Sequence, residues 1–341
     1  INDVNVVSGG GGLAANGGAK LIFNGSYLYV DSDSTSARYV VYAEGDGTEI
    51  IVNGGTFGWD PADNTRRAYV YTGVGAKVII NGGTFGKASS RADYKAGIRG
   101  SGETIINAGT FGFNPTNWVA ADSSVKKVGE NWIVTPPAVV ENTDQLASAL
   151  QSAEGCTILL SESENYGTVA VGELKDVTIK GAEGAVMIFK TDANSKLENV
   201  TLKEVNFEYT GATADCGIVI NKDAQIDNLV VEGCNFVGTG AKAGRGISGL
   251  NNSATITFKG CTFKDLGYPI YAWGSYEALT IEGCTFDNIK SWAIMPQSGF
   301  DGDLTVIGNT FQNCLGGGLV KAGTLTAGHT FTFENNVITN C

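Results

Sequence analysis

Gly260-Cys261-Thr262-Phe263 is one copy of a short motif that recurs along this chain at intervals of 23 to 29 residues. Related copies in the second part of the chain are Gly233-Cys-Asn-Phe236, Gly283-Cys-Thr-Phe286 and Gly308-Asn-Thr-Phe311. An earlier form of the motif reads Asn53-Gly-Gly-Thr-Phe57, Asn81-Gly-Gly-Thr-Phe85 and Asn107-Ala-Gly-Thr-Phe111. A period in this range indicates one supersecondary unit that is stacked many times.

When the copies are aligned, like residues fall into columns. The aromatic column contains Phe207, Phe236, Phe263, Phe286, Phe311 and Ile338. A second column contains Val205, Cys234, Cys261, Cys284, Asn309 and Asn336. Apolar and polar residues alternate around both columns, which predicts strands with one buried face. Equal positions in successive units then stack about 4.8 Å apart, so each Phe is expected to pack on the next.

Two polar columns fit the same stack. Gly238, Asp265, Asn288, Asn313 and Asn340 follow the second column by four residues, where a strand is expected to turn. Asn and Asp tolerate left-handed backbone at such turns and hydrogen-bond locally. An outward column reads Lys203, Glu232, Lys259 and Glu282, so that opposite charges face each other on neighbouring coils. Both columns are predicted to be structural.

The cysteines do not point to a metal site or a disulfide framework. The chain has seven of them, an odd number, and their spacings are not those of metal ligands. Because three occupy one column of the repeat, they are predicted to be small buried side chains in the stack.

The coil period, the aromatic stack and the turn column at Asp265, Asn288, Asn313 and Asn340 resemble the pectin-lyase-like right-handed parallel β-helix family. The resemblance is closer over residues 138–341 than over residues 15–137. It implies an all-β, right-handed parallel β-helix, a solenoid fold that hosts lyases, hydrolases, adhesins and phage spikes. The resemblance therefore predicts the fold and leaves the function open.

The chain is expected to form two sections. Residues 1–137 carry the Asn-Gly-Gly-Thr-Phe-Gly form of the motif in a β-helix-like repeat. Residues 138–341 form a capped right-handed parallel β-helix, which is expected to continue beyond residue 341. Thr143 is the predicted N-cap of a short amphipathic helix over residues 143–152, with Leu146 and Leu150 on its apolar side. In the resembled family such a helix covers the end of the core.

Composition narrows the partners. The net charge is −12 with no basic stripe, which argues against nucleic acid. No apolar run is long enough to span a membrane. The stalk-like repeats, the acidic surface and the lack of a catalytic constellation favour an extracellular location, on a virion or a bacterial surface.

No catalytic constellation is evident. A glycoside hydrolase needs two carboxylates roughly 5–9.5 Å apart, which neighbouring coils could supply, but no Asp-Asp phrase lies on a strand with an Asp on the next coil. Arg245 lies in a glycine-rich segment and is interpreted as a turn residue paired with a surface acid. Asp301 and Asp303 offer oxygens for Ca²⁺, but turn chemistry explains them equally well, so no cofactor is predicted. His329 has no evident partner, which argues against a serine-hydrolase triad.

The strongest functional signal is aromatic. We call Tyr268, Tyr271, Trp273, Tyr276 and Trp292 the aromatic patch. If Ile218, Ile247, Ile270, Ile294 and Leu319 point inward, Tyr271 and Trp273 point outward and the other three lie nearby. Exposed aromatic rings stack on sugar rings, and Arg245, Gln297 and Asp301 are placed to bind hydroxyl groups.

These observations favour a structural and attachment module, such as a phage spike or fibre component that binds a surface glycan or another surface protein. A bacterial cell-surface adhesin is one alternative. A polysaccharide lyase or glycoside hydrolase with its site near Arg245, Trp273, Trp292 and Asp301 is another. In a third interpretation the patch is buried between subunits of a homo-oligomer such as a trimer.

Overall fold

The computed structural model describes residues 5–8, 12–30, 38–58, 67–209, 215–242, 244–250, 254–273, 276–296, 302–321 and 328–341. The chain divides into two compact units, Ile1–Pro137 and Ala138–Cys341. Each unit is built almost entirely of β-strands, and each has its own hydrophobic core. The predicted all-β parallel β-helix with a short α-helix is confirmed.

Unit 1 is a stack of short parallel strands followed by a hairpin. Its strands are β1 (Asn5–Ser8), β2 (Leu13–Asn16), β3 (Lys20–Val30), β4 (Arg38–Glu44), β5 (Glu49–Gly58), β6 (Arg67–Thr72), β7 (Lys77–Ile80), β8 (Thr84–Lys87), β9 (Ile98–Gly100), β10 (Glu103–Ile106), β11 (Gly109–Gly112), β12 (Ser124–Val128) and β13 (Asn131–Thr135). A 3-10 helix spans Thr116–Trp118. Strands β2, β4, β6 and β9 form one sheet, and the others form a second.

The repeated motif of unit 1 supplies an inner and an outer ladder. Inside, the rings of Phe57 and Phe85 are 4.6 Å apart, and Phe111 continues the stack at 5.0 Å. Outside, the Asn side chains of the motif donate from amide to amide: Asn53 to Asn24, Asn81 to Asn53 and Asn107 to Asn81 at 2.5, 2.8 and 2.7 Å. The motif therefore ties successive coils together on both sides of the strand.

The hairpin β12–β13 ends the stack of unit 1. Strand β13 pairs antiparallel with β11, whereas the ladders between the preceding strands are parallel. This pairing covers an edge that would otherwise present free backbone groups.

Unit 2 is a regular coil in which consecutive strands form one parallel network. Its strands are β14 (Ala138–Val140), β15 (Ser152–Glu154), β16 (Thr157–Leu160), β17 (Asn165–Gly181), β18 (Val186–Lys203), β19 (Asn206–Glu208), β20 (Asp215–Ile220), β21 (Gln225–Glu232), β22 (Asn235–Val237), β23 (Arg245–Leu250), β24 (Ala254–Lys259), β25 (Thr262–Lys264), β26 (Tyr268–Trp273), β27 (Tyr276–Glu282), β28 (Thr285–Asp287), β29 (Trp292–Pro296), β30 (Asp303–Ile307), β31 (Thr310–Gln312), β32 (Gly318–Val320), β33 (Phe331–Glu334) and β34 (Val337–Thr339).

A short helix covers the first coil of unit 2. It spans Thr143–Ala149 and ends three residues before the predicted boundary, because strand β15 starts at Ser152. Its N-cap is Asn142, not Thr143 as predicted: the Asn142 side chain accepts a hydrogen bond from the Gln145 amide at 3.0 Å. Leu146 is fully buried, as the apolar pattern predicted.

The aromatic column runs through unit 2 in register. Phe236 pairs with Phe207 and with Phe263, and their ring centroids are 4.6 and 4.7 Å apart. Phe286 and Phe311 continue the stack at 4.9 and 4.8 Å. These spacings equal the distance between paired strands, so the predicted stack is confirmed.

The cysteine column hydrogen-bonds as well as packs. The Cys261 amide donates to the Cys284 sulfur at 3.4 Å, and the Cys284 amide donates to the Asn309 side-chain oxygen at 2.8 Å. Cysteine and asparagine therefore play the same part at this turn. Cys234, Cys261, Cys284 and Cys314 are buried free thiols. Burial raises the pKa of Cys314 to about 12.

The turn and charge columns also match their predictions. Asp265, Asn288, Asn313 and Asn340 have φ between 52° and 57°, the left-handed conformation expected there. In the charge column each acidic residue lies in register with a lysine on an adjacent coil. The Lys203 and Glu232 side chains are 3.6 Å apart.

Candidate functional site

The candidate site lies along strands β23, β26, β29 and β32, which pair in that order. The isoleucines that were predicted to face inward, Ile218, Ile247, Ile270 and Ile294, are all buried. At the fifth position, Val320 and not Leu319 lies in register with Ile294. This alternation brings Tyr271 to the outer side, where it is half-buried.

Arg245, Tyr268 and Tyr271 form one cluster. Arg245 belongs to strand β23, so it is not the turn residue that was predicted. Its guanidinium carbon lies 4.3 Å from the centre of the Tyr271 ring, which is cation–π geometry. Tyr268 meets Tyr271 edge to face, with centroids 5.4 Å apart. The rings are therefore held in place by neighbouring side chains before any ligand arrives.

Trp292 lies one coil further along, against glycine backbone. It is in register with Gly318, and a Cβ added to Gly318 would stand 2.7 Å from the indole ring. A Cβ on Gly317 would meet the indole nitrogen at 2.5 Å. Lys321 Nζ is 5.9 Å from the ring centroid. Glycine is thus required here so that the indole can rest flat on the next coil. We call Tyr268, Tyr271 and Trp292 the Tyr–Trp strip.

A pocket of about 430 Å³ adjoins Trp292. It is lined by Lys242, Lys290, Ser291, Leu315 and Gly317, among others. Its volume is within the range of small-ligand sites. We call it the lysine pocket.

The other members of the predicted site are elsewhere or beyond the description. Tyr276 is fully buried, with its hydroxyl donating to the Gly249 carbonyl at 3.3 Å, so its predicted surface position is wrong. Burial of the phenol raises the pKa of Tyr276. The backbone of Trp273 lies in strand β26, but its side chain is outside the described part, as are Gln297 and Asp301.

The expected calcium oxygens are only partly described. The Asp303 carboxylate accepts hydrogen bonds from the amide and hydroxyl of Thr330 at 2.7 and 3.0 Å, which lower its pKa. His329 Nδ1 lies 3.7 Å from the same carboxylate, so His329 does have an acidic neighbour, contrary to the prediction. Among the described residues, no group of three or more potential metal ligands occurs. The interpretation of Asp301 and Asp303 as turn residues, with calcium binding as the alternative, stays a prediction.

A charged groove that was not predicted from the sequence lies on another side of unit 2. The groove has a volume of about 760 Å³ and spans consecutive strands. Glu173 and Lys196 pair across it at 2.7 Å, and Lys175 and Glu198 pair at 2.6 Å. Asp227 lies in register with Glu198 on the next strand. The alternating charges along the strands were the available signal. This pair was not found from the sequence because only Asp-Asp phrases with an Asp on the next coil were sought.

A tyrosine cluster in unit 1 was also missed. Tyr42 and Tyr71 are register partners, and their rings stack at 5.1 Å with an interplanar angle of 10°. Tyr39 joins them at 4.9 Å from Tyr71. A hydrogen bond to Glu44 raises the pKa of Tyr42 to about 12. The rings therefore pack on one another along the coil.

A family model matches part of unit 2 and agrees with the observed fold. Residues 185–341, a little under half of the chain, match the family model described as the right handed beta helix region. The matched stretch carries the aromatic, cysteine and turn columns described above. None of the curated proteins compared matches the chain. Among the described residues, no helix is long and apolar enough to cross a membrane.

Proposed function

We propose that this chain is an extracellular attachment module, a component of a phage virion spike or fibre, that binds a surface glycan through the Tyr–Trp strip. The observation that carries the proposal is the strip itself. Three half-buried aromatic rings lie on two successive coils. The indole ring of Trp292 packs against Gly318 of the following coil.

The surroundings of the strip are typical of a carbohydrate-binding surface and not of a protein core. Sugar sites combine flat apolar surface with a few polar groups that fix orientation. The strip provides the aromatic rings, and Arg245, Ser291 and Lys290 provide donors within or beside it. A rigid parallel coil also suits display, because each coil is fixed by its two neighbours.

Replacing Trp292 by alanine is expected to weaken glycan binding at least about thirtyfold, the effect of losing a central aromatic anchor. Tyr271→Ala should weaken it less, because Arg245 and Tyr268 partly fill the space. The measurement is a glycan array followed by titration calorimetry on each hit. Trp118→Ala, which removes a half-buried Trp from unit 1, is the matched control and should bind normally. Unchanged binding by the well-folded Trp292→Ala variant would reject the strip as the site.

A second function, glycoside hydrolysis, is favoured by one observation in the charged groove. Glu198 and Asp227 are register partners on adjacent strands. Because paired strands lie about 4.7–4.9 Å apart, in-register carboxylates can approach the roughly 5–5.5 Å that separates the two carboxyl groups of retaining glycosidases. The groove also runs across several coils, as an extended polysaccharide requires.

If the groove is catalytic, glycans bound by the chain will shorten with time, and Glu198→Gln or Asp227→Asn will abolish the cleavage. Each change removes a charge but keeps the size of the side chain. Size-exclusion chromatography of the incubated glycan measures the result. Glu208→Gln, an exposed acid on strand β19, is the control. Binding without any shortening would dismiss the hydrolase and leave the attachment module.

A further inference from the structure

We infer that the glycan is anionic, and that the lysine pocket beside Trp292 receives its carboxylate or sulfate group. This inference rests on the proposed function, because the pocket adjoins the strip that would hold the sugar ring. It adds the charge class of the ligand and a defined subsite for the charged group.

The charged side chains that line the pocket are positive. Lys242 and Lys290 line it, and Lys321 lies over the neighbouring Trp292 ring. Among the residues that the structure describes, no carboxylate side chain lines the pocket. The whole chain carries a net charge of −12, so a locally positive pocket runs against the average of the surface. Such a pocket attracts an anion and raises its local concentration.

The lysines of the pocket differ from those of the charged groove in the partners that they contact. On the charged groove, lysines have acidic partners: Lys175 pairs with Glu198 and Lys196 with Glu173. Within the described ranges, Lys242, Lys290 and Lys321 have no ion pair of this kind. Lys290 Nζ instead donates to the neutral Asn288 side-chain oxygen at 2.5 Å. The Asn288 amide in turn donates to the Asp265 carboxylate, so that acid reaches Lys290 only through the amide, and an ammonium group has three donors to share.

The size and the walls of the pocket suit a charged substituent of a sugar ring. A 430 Å³ space accommodates a small ligand or one unit of a larger one. Leu315, which is 78% exposed, provides an apolar wall, and Gly317 joins the pocket to the indole of Trp292. A sugar ring on Trp292 would therefore extend a charged substituent toward Lys242 and Lys290. The shared chemistry is a monovalent oxyanion on a saccharide.

The test uses the full chain on an array that pairs neutral saccharides with their carboxylated and sulfated derivatives. We expect the derivatives to bind at least about tenfold more tightly than their neutral parents, which is the usual worth of a charge-assisted hydrogen bond. Lys242→Gln and Lys290→Gln should each remove most of that preference. Raising the salt concentration should do the same, because exposed charges are screened. The carboxylated and sulfated arms distinguish the two sources of the anion.

Lys222→Gln is the matched control, since it removes the same charge from an exposed turn where Lys222 contacts Asp223 at 2.6 Å. Its preference should be unchanged. Because Lys242 is exposed, its replacement leaves the fold intact even if Lys290→Gln disturbs the turn at Asn288. Equal binding of neutral and anionic glycans, still abolished by Trp292→Ala, would overturn this inference and leave the proposed function standing. Absence of glycan binding by the folded chain would overturn both.

Discussion

Replacing Phe263 by alanine is expected to lower the free energy of unfolding of unit 2 by about 3–5 kcal/mol, the range for a Phe removed from a packed core. The Phe263 ring is fully buried and stacks on Phe236 at 4.7 Å and on Phe286 at 4.9 Å. It also meets Phe258 edge to face at 5.8 Å. One substitution therefore removes three aromatic contacts and leaves a cavity between two coils.

The position of Phe263 in the middle of the stack adds to the effect. In a solenoid each repeat is stabilised by its two neighbours, so a weak middle coil uncouples the coils on either side. Urea denaturation followed by circular dichroism measures the loss and shows whether the transition becomes less steep.

Phe331→Ala is the matched control, because it is the same chemical change at a side chain that is 40% exposed. Phe331 has a looser ring contact, with Phe333 at 6.3 Å. Its loss should stay below about 1.5 kcal/mol, since less apolar surface returns to water. Equal losses at the two positions would contradict the claim that the buried stack dominates the stability of unit 2.

Replacing Asn309 by leucine is expected to cost on the order of 3 kcal/mol although leucine is similar in size. Asn309 is fully buried in the cysteine column. Its amide nitrogen donates to the Ile281 carbonyl at 2.9 Å, and its oxygen accepts from the Cys284 amide at 2.8 Å. Leucine would leave both backbone groups without this partner in the core, and each such loss costs about 1–3 kcal/mol.

Asn309→Cys separates the hydrogen bonds from the packing. Cys284 accepts the Cys261 amide one coil earlier, so a cysteine at position 309 should accept the Cys284 amide in the same way. We expect a loss of about 1 kcal/mol, since sulfur is a weaker acceptor than an amide oxygen. Chemical denaturation of the two variants under one condition makes the comparison. A cysteine variant as unstable as the leucine variant would show that the two residue types are not equivalent in this column.

At the candidate site the repeat pattern predicts the orientation of some side chains and not of others. The inward isoleucines and the outward Tyr271 could be predicted because strand alternation holds within β26. Tyr276 could not, because the register between β24 and β27 shifts after Ala254. The shift pairs Tyr276 with the fully buried Ala254, so the phenol enters the core. One bulged residue is enough to reverse a side chain, and the sequence pattern does not mark it.

The charged groove depends on a bend that the pattern did not reveal. Asp176, Asn199 and Asn228 have φ of 52°, 52° and 63° within long strands, so the chain turns there. Their side chains form a second amide ladder, with Asn199 donating to Asp176 at 3.0 Å and Asn228 to Asn199 at 3.1 Å. The residues just before the bend line the groove. The recurring motif lies on the Phe strands, so it does not include the residues of this turn.

The parallel coil, its aromatic, cysteine and turn columns, and a short helix at the start of unit 2 could all be predicted from the amino-acid sequence. This was possible because stacking places equal positions of each repeat in contact, so the repeat is visible as a column of like residues. The folded coil was needed to show which aromatic rings reach the surface, that lysines line a pocket beside Trp292 and that Glu198 lies in register with Asp227. Those features depend on bulges, bends and turns of unequal length between the repeats, where the spacing changes and no column exists to be read.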